Sequence, residues 1–253
     1  MKNSLVTTLI LIAVGIPFYS SFAQESQYKS VLFVGNSYTY FWNLPQNVAL
    51  MAEAAEIPLK TRQSTVGGIN LGTHWRGERE LQSRQLIESG DFDAVVIQDL
   101  STRPVDDPDS TLYYGQLFGE LIQNSGARPY VYLTWAREYN PLMQEKLTAT
   151  YVQLAKNIGA TVVPAGPAWE LARSLRPGLP LYDPDGSHPS SLGTYLTACV
   201  FYGILTGESP VGLPNRLITT DKYGEKLYMN ITSPTDALFL QEVAEKTIRE
   251  FIY

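Results

Sequence analysis

Ser30-Val31-Leu32-Phe33-Val34-Gly35-Asn36-Ser37 is an apolar run that breaks abruptly on small and turn-forming residues. A continuous run of this kind, rather than an apolar/polar alternation, predicts a strand buried on both faces, as parallel sheets require when helices cover each side. Asp93-Ala94-Val95-Val96-Ile97 has the same character. Around these two strands the pattern alternates. A helical stretch runs from about Pro45 to Glu56, and a weaker, more polar strand at 59–66 suits a sheet edge. Residues 73–89 look helical, with charges at Arg76, Glu78, Arg79 and Glu80. Helix Ser110 to Asn124, strand Pro129 to Thr134, helix Pro141 to Ile158 and strand 161–163 follow, and helix-period segments at 166–175, 190–206 and 235–250 close the chain. Strands alternating with helices are the signature of βαβ units, so the expectation is an α/β fold: a three-layer α/β/α sandwich of about five parallel strands. The stretch 208–234, with Pro210, Gly212, Pro214 and Pro234, has no clear period and reads as an irregular surface arm.

The chain has 253 residues, 44% hydrophobic and 17% charged, which excludes a disordered or collagen-like polymer. Its formal charge of -6 and lack of any basic run argue against nucleic-acid partners, because phosphate neutralisation needs clustered Lys and Arg. The single cysteine, Cys199, excludes internal disulfides and multi-thiolate zinc sites, and two histidines are too few for a multi-histidine metal centre. Asp106-Asp107-Pro108-Asp109-Ser110 lacks the spaced oxygen ligands of a calcium loop, and Asp109 reads as a helix N-cap. Met1-Lys2-Asn3, the apolar run from Leu5 to Val14 and Ser21-Phe22-Ala23 have the pattern of a cleaved secretory signal over 1–23. That apolar run is too short to span a bilayer, and no later segment is long and apolar enough for stable membrane insertion. Residues 24–253 are then expected to form one domain, exported to a periplasmic or extracellular location.

In parallel α/β sheets ligands gather at the carboxyl ends of the strands, where the strand order reverses. Ser37 stands just past the first strand, where a following helix N-terminus offers amide donors to a developing anion. On position alone it reads as a helix N-cap, the commoner use of a serine there, and it needs a partner to become more. A partner occurs in Asp183-Pro184-Asp185-Gly186-Ser187-His188-Pro189. An aspartate three residues before a histidine can fold back through a turn at Gly186 and orient one imidazole nitrogen while the other faces a serine. The alternative for this segment is a plain loop, with Asp185 in a turn and His188-Pro189 opening a helix.

Phe33-Val34-Gly35-Asn36-Ser37-Tyr38-Thr39 and Asp185-Gly186-Ser187-His188-Pro189 together resemble the first and last sequence blocks of the SGNH (GDSL-type) hydrolases, with asparagine where the commonest form has aspartate. The resemblance runs from about Val31 to Thr206 and implies a flavodoxin-like sandwich with Ser37 as nucleophile, His188 as general base and Asp185 as its orienter. Thr65-Val66-Gly67-Gly68-Ile69-Asn70 looks like the second block and implies an oxyanion hole built from the amides of Ser37 and Gly68. The third block departs: Gly-x-Asn-Asp is replaced by Val96-Ile97-Gln98-Asp99-Leu100, which marks a divergent GNSYT branch. Gln98 stands where an amide side chain is wanted and is expected to serve as the third oxyanion donor, the alternative being a polar strand cap.

Asn36, His74 and Trp135 are the substrate-binding candidates, His74 having the alternative of a hydrogen-bonded helix-start histidine. Tyr38, Tyr40, Phe41 and Trp42 crowd the turn after Ser37, and aromatic faces there suit sugar rings, although core packing is the commoner use of such residues. The expected activity is that of an exported serine esterase that removes acetyl or other short acyl groups from a small-molecule or glycan ester, without metal or organic cofactor. The rival expectations are a non-catalytic glycan-binding protein on the same fold, and a lipid-acting esterase or acyltransferase.

Overall fold

Alternate residues of the first strand enter two different cores. In the computed structural model, which describes residues 30–253, β1 (Ser30–Gly35) sends Val31 and Phe33 into one apolar cluster and Leu32 and Val34 into the other. The secretory segment expected at 1–23 lies outside the described residues. After β1 come α1 (Ser37–Tyr40), α2 (Leu44–Ala54), β2 (Lys60–Thr65), α3 (Leu71–Arg76), α4 (Ser83–Glu88), β3 (Ala94–Ile97), α5 (Arg103–Asp106) and α6 (Pro108–Asn124). The second half supplies β4 (Arg128–Leu133), α7 (Met143–Ile158), β5 (Thr161–Pro164), α8 (Ala165–Leu175), α9 (Ser191–Thr206), β6 (Arg216–Thr220), β7 (Lys226–Ile231) and α10 (Pro234–Glu250).

The five main strands are parallel in the order β2-β1-β3-β4-β5. Helices α2, α8, α9 and α10 cover one face and α3, α6 and α7 the other, which is the expected three-layer α/β/α sandwich. Each layer follows from its residues. β3 is apolar at every position and buried at every position, as a central strand must be. β2 (KTRQST) is polar and half of it is exposed, as its edge position allows. α9 is apolar almost all round and buried almost all round, because it lies between the sheet and its neighbours α2, α8 and α10. From β1 the chain steps to β2 on one side and then to β3 on the other, so the strand order reverses between the carboxyl ends of β1 and β3.

Three expectations need correction. Residues 73–89 do not form one helix. α3 ends at Gly77, whose φ of +67° closes it with a left-handed cap, and Arg79 and Glu80 also have positive φ before α4 begins. The arm 208–234 is not irregular, for β6 and β7 pair as an antiparallel hairpin against α2 and α9. Its turn is tied by the Asp221 carboxylate, which accepts from the amides of Tyr223 and Glu225. The period was hidden because Ile218, Leu227, Tyr228 and Ile231 face solvent and a bulge between Leu217 and Ile218 breaks the alternation. Finally, the cap of α6 is Asp107, not Asp109: its carboxylate accepts from the Ser110 amide and pairs with Arg103.

Candidate active site

Ser37 is the first residue of α1, immediately beyond β1, and as such its amide has no partner within the helix. The cap itself is Asn36, whose Oδ1 accepts from the Tyr38 amide at 3.1 Å. Ser37 is therefore not occupied as the cap. Its Oγ lies 2.9 Å from His188 Nε2, although 151 positions separate the two residues.

His188 is held from the other side by Asp185. The carboxylate Oδ2 is 2.5 Å from His188 Nδ1, while Oδ1 accepts from the backbone amides of Ser187 and His188, both at 2.9 Å. Both readings of this segment apply at once, since Asp185 makes the turn and orients the ring. Gly186, with φ of +66°, supplies the left-handed step, and its carbonyl accepts from the Glu138 amide. The loop is clamped further by Trp135 Nε1 donating to the Ser187 carbonyl, by Trp42 Nε1 donating to the Pro189 carbonyl and by the Tyr38 hydroxyl bonded to Ser187 Oγ at 2.8 Å. Burial by itself would raise the Asp185 carboxyl, but the hydrogen bonds from the His188 ring and the two amides outweigh it and hold the group at about 2. With Nδ1 protonated towards Asp185, Nε2 is left as the acceptor for the Ser37 hydroxyl. Phe41 stacks on the imidazole at 4.3 Å and 17°, and Tyr38 meets its edge at 5.7 Å.

These residues share a cavity of about 530 Å³ lined also by Tyr40, Gly67, Gly68, Leu100, Ser101 and Arg137. Gly68 lines the same cavity as Ser37 and has φ of +70°, a conformation that side chains resist. Trp42 and Asn43, which follow the cavity-lining Phe41 in sequence, are in the left-handed region, at φ of 49° and 51°. For a tryptophan this is a strained state, of the kind that surrounding structure enforces at sites.

The third expected oxyanion donor is elsewhere. Gln98 is buried and absent from the cavity wall. Its Oε1 accepts from the Asn36 amide and from Thr39 Oγ1, both at 3.0 Å, and its Nε2 donates to the Asp99 carbonyl. Both ends of the carboxamide are thus spent on bracing the Ser37 turn from below, the strand-cap alternative. Gly35 is required for this, since a Cβ there would stand 2.6 Å from Gln98 Oε1. Gln98→Ala leaves the buried Asn36 N–H unpaired, and a loss of about 1–3 kcal/mol in unfolding free energy is expected in denaturant titrations.

None of the three substrate-binding candidates presents a free polar group to the cavity. Asn36 borders it, but its Nδ2 donates to the carbonyls of Ile69 and Asp99, so the side chain ties three strand exits together. Trp135 is buried in a stack between Tyr38 at 4.7 Å and Trp169 at 3.9 Å, and it packs the core behind the site. His74 is also buried, with Nε2 2.9 Å from the Gly35 carbonyl and Nδ1 2.7 Å from Ser83 Oγ, which continues to Ser64. The carbonyl can only accept, so Nε2 carries a proton, while the Ser83 hydroxyl can serve Nδ1 as donor or acceptor. Burial lowers its pKa to about 4, outweighing the Gly35 bond, which raises it. Because the unfolded chain takes this proton near pH 6.5 and the folded chain only near 4, stability is full above pH 6.5 and falls as the pH drops between those values. The slope is at most about 1.4 kcal/mol per pH unit from this one group. Thermal melts at pH 7 and pH 5 should show the difference, and His74→Asn should flatten it.

Residues given no individual role from sequence complete the wall. Ser187 and Ser101 present hydroxyls beside Tyr38, and Tyr38 is buried deeply enough to raise its phenol. Arg137 donates from Nη2 to Ser101 Oγ at 3.0 Å. Arg137 follows the fourth strand by sequence, and only the folding of loops 99–101 and 135–138 onto the same edge brings it to Ser37.

A parallel 2-1-3-4-5 sheet with a serine, a histidine and an aspartate in line at its switch point defines the architecture: an α/β/α fold like that of the SGNH hydrolases. Comparison with solved structures agrees. A structure from Slackia heliotrinireducens described as a candidate SGNH hydrolase is 24% identical, with a TM-score of 0.58 over 71% of this chain and 98% of that one. A DUF4886 family protein from Bacteroides uniformis aligns with a TM-score of 0.67 and 17% identity over 87% of this chain and 95% of that one. The psychrotrophic esterase EstA from Pseudoalteromonas sp. aligns with a TM-score of 0.53 and 14% identity over 69% and 94% of the respective chains. No protein-family model matches the chain, and neither does any curated protein.

Proposed function

We propose that this protein is a serine ester hydrolase, and that its natural substrates are acyl esters, acetyl among them, on carbohydrate. The observation that carries the reading is the continuous line from Asp185 Oδ2 through His188 to Ser37 Oγ, with spacings of 2.5 and 2.9 Å. In this mechanism His188 Nε2 takes the hydroxyl proton as Ser37 Oγ attacks the ester carbonyl, and Asp185 stabilises the imidazolium that forms. The developing oxyanion is met by the amides of Ser37 and Gly68. His188 then returns the proton to the leaving alcohol, giving an acyl-enzyme. Water attacks it by the same route in reverse order, releasing the acid and regenerating Ser37. This chemistry needs neither metal nor organic cofactor.

The sugar part of the proposal rests on Tyr40 and Phe41 in the cavity wall and on the half-exposed Trp42 beside them, aromatic faces of the kind sugars stack against. Export through a cleaved 1–23 segment is part of the same proposal. Among the described residues no helix is long and apolar enough to cross a membrane. A fluorophosphonate probe should add to the protein once, on Ser37 by peptide mapping, and acetate should be released from a panel of acetylated glycans. An unlabelled, correctly folded protein that binds glycans without turnover would instead be the non-catalytic rival.

A further inference from the structure

The cavity that contains Ser37 also contains a cation without a counter-ion. Arg137 is half-buried in its wall, and its one side-chain hydrogen bond among the described residues runs from Nη2 to Ser101 Oγ. Its Nε is buried and has no partner. None of the ion pairs among the described residues includes it. The carboxylate that shares the cavity, Asp185, is committed to His188 and two backbone amides. The arginine is nonetheless fixed in place: its amide donates to Met143 Sδ, its carbonyl accepts from Asn140, and the following residue bonds the Gly186 carbonyl of the histidine loop.

A guanidinium stays charged at every working pH and offers five N–H donors, of which this one spends a single donor on protein. Taking such a charge partly out of water is unfavourable unless an anion meets it. A planar carboxylate matches its donors two at a time. One cation beside the Asp185 carboxylate suits a monoanion better than a dianion, which Asp185 would repel. A cavity of about 530 Å³ has room for an ester at Ser37 and a carboxylate at Arg137 in one sugar-sized or short-acyl molecule.

We propose that Arg137 sets the specificity of this site, and that the ester it selects carries a carboxylate, on the acyl or the alcohol side. The inference rests on the ester-hydrolase reading. Two substrate pairs separate the sources of the carboxylate: p-nitrophenyl hydrogen succinate against p-nitrophenyl butyrate, and O-acetylated methyl glucuronoside against O-acetylated methyl glucoside. In wild type at least one pair should favour its carboxylate member in kcat/KM by about tenfold or more, and Arg137→Gln should reduce that ratio by about 10- to 100-fold. Arg137→Lys should retain part of the preference. Because each ratio is taken within one variant, a general loss of folded protein cancels. Calorimetry on Ser37→Ala supplies a readout without chemistry, in which succinate or methyl glucuronoside should bind and the added Arg137→Gln should abolish the binding. Turnover with ratios near one in wild type, or ratios that Arg137→Gln leaves unchanged, overturns the role of Arg137 and leaves the hydrolase standing. Carboxylate binding that depends on Arg137 in a protein that hydrolyses no ester does the reverse.

Discussion

Ser37→Ala is expected to lower turnover of p-nitrophenyl acetate by on the order of 10⁴-fold or more, with little change in the melting temperature. The size follows from the mechanism. Ser37 Oγ is the atom that bonds to carbon, and nothing adjacent can replace it, since Ser187 Oγ is bonded to Tyr38 and Ser101 Oγ to Arg137. Stability should hold because the Ser37 hydroxyl caps nothing: the cap is Asn36, and Gln98 braces the turn independently. The measurement is steady-state kinetics together with a thermal melt of the same preparation. Retention of more than about a hundredth of the wild-type rate would mean that another nucleophile does the chemistry.

Asp185→Asn should cost nearly as much, about 10⁴-fold in kcat, by a different route. The asparagine carbonyl can still accept from the Ser187 and His188 amides, so the turn survives. Its NH₂ then faces His188 Nδ1, which must become an acceptor, and the ring proton moves to Nε2. A protonated Nε2 points a donor at Ser37 Oγ and cannot remove its proton. Nitrogen-detected NMR of the imidazole should report the exchanged tautomer. Asp185→Ala removes the turn acceptor as well, and should lower stability in addition to rate. Because the wild-type carboxyl is held at about 2, below its ordinary 3.8, its contribution to stability is present above pH 3.8 and disappears only as the pH falls towards 2. Any loss of turnover between pH 7 and pH 4 therefore arises elsewhere than in Asp185.

The parts of the site that depend on neighbouring residues were legible in advance. Asp185, Gly186 and His188 lie within four positions, so a single turn decides their relation, and the apolar run of β1 places Ser37 at its exit. The roles of polar side chains were harder to read. Gln98 and His74 have the composition of site residues, yet their hydrogen bonds go to Asn36, Thr39, Gly35 and Ser83. Which partner a carboxamide or imidazole finds depends on what packs beside it, and that is not encoded in spacing. Trp135 was displaced for a related reason, since stacking on Tyr38 and Trp169 buries more apolar surface than exposure at a rim.

Local pattern was sufficient for the layered sheet, its strand positions and the turn that carries the histidine, because burial periodicity and turn chemistry act over a few residues. Long-range packing alone selected which groups face the cavity, because Arg137, Ser101 and Ser37 meet only after three separate strand exits have been brought to one edge.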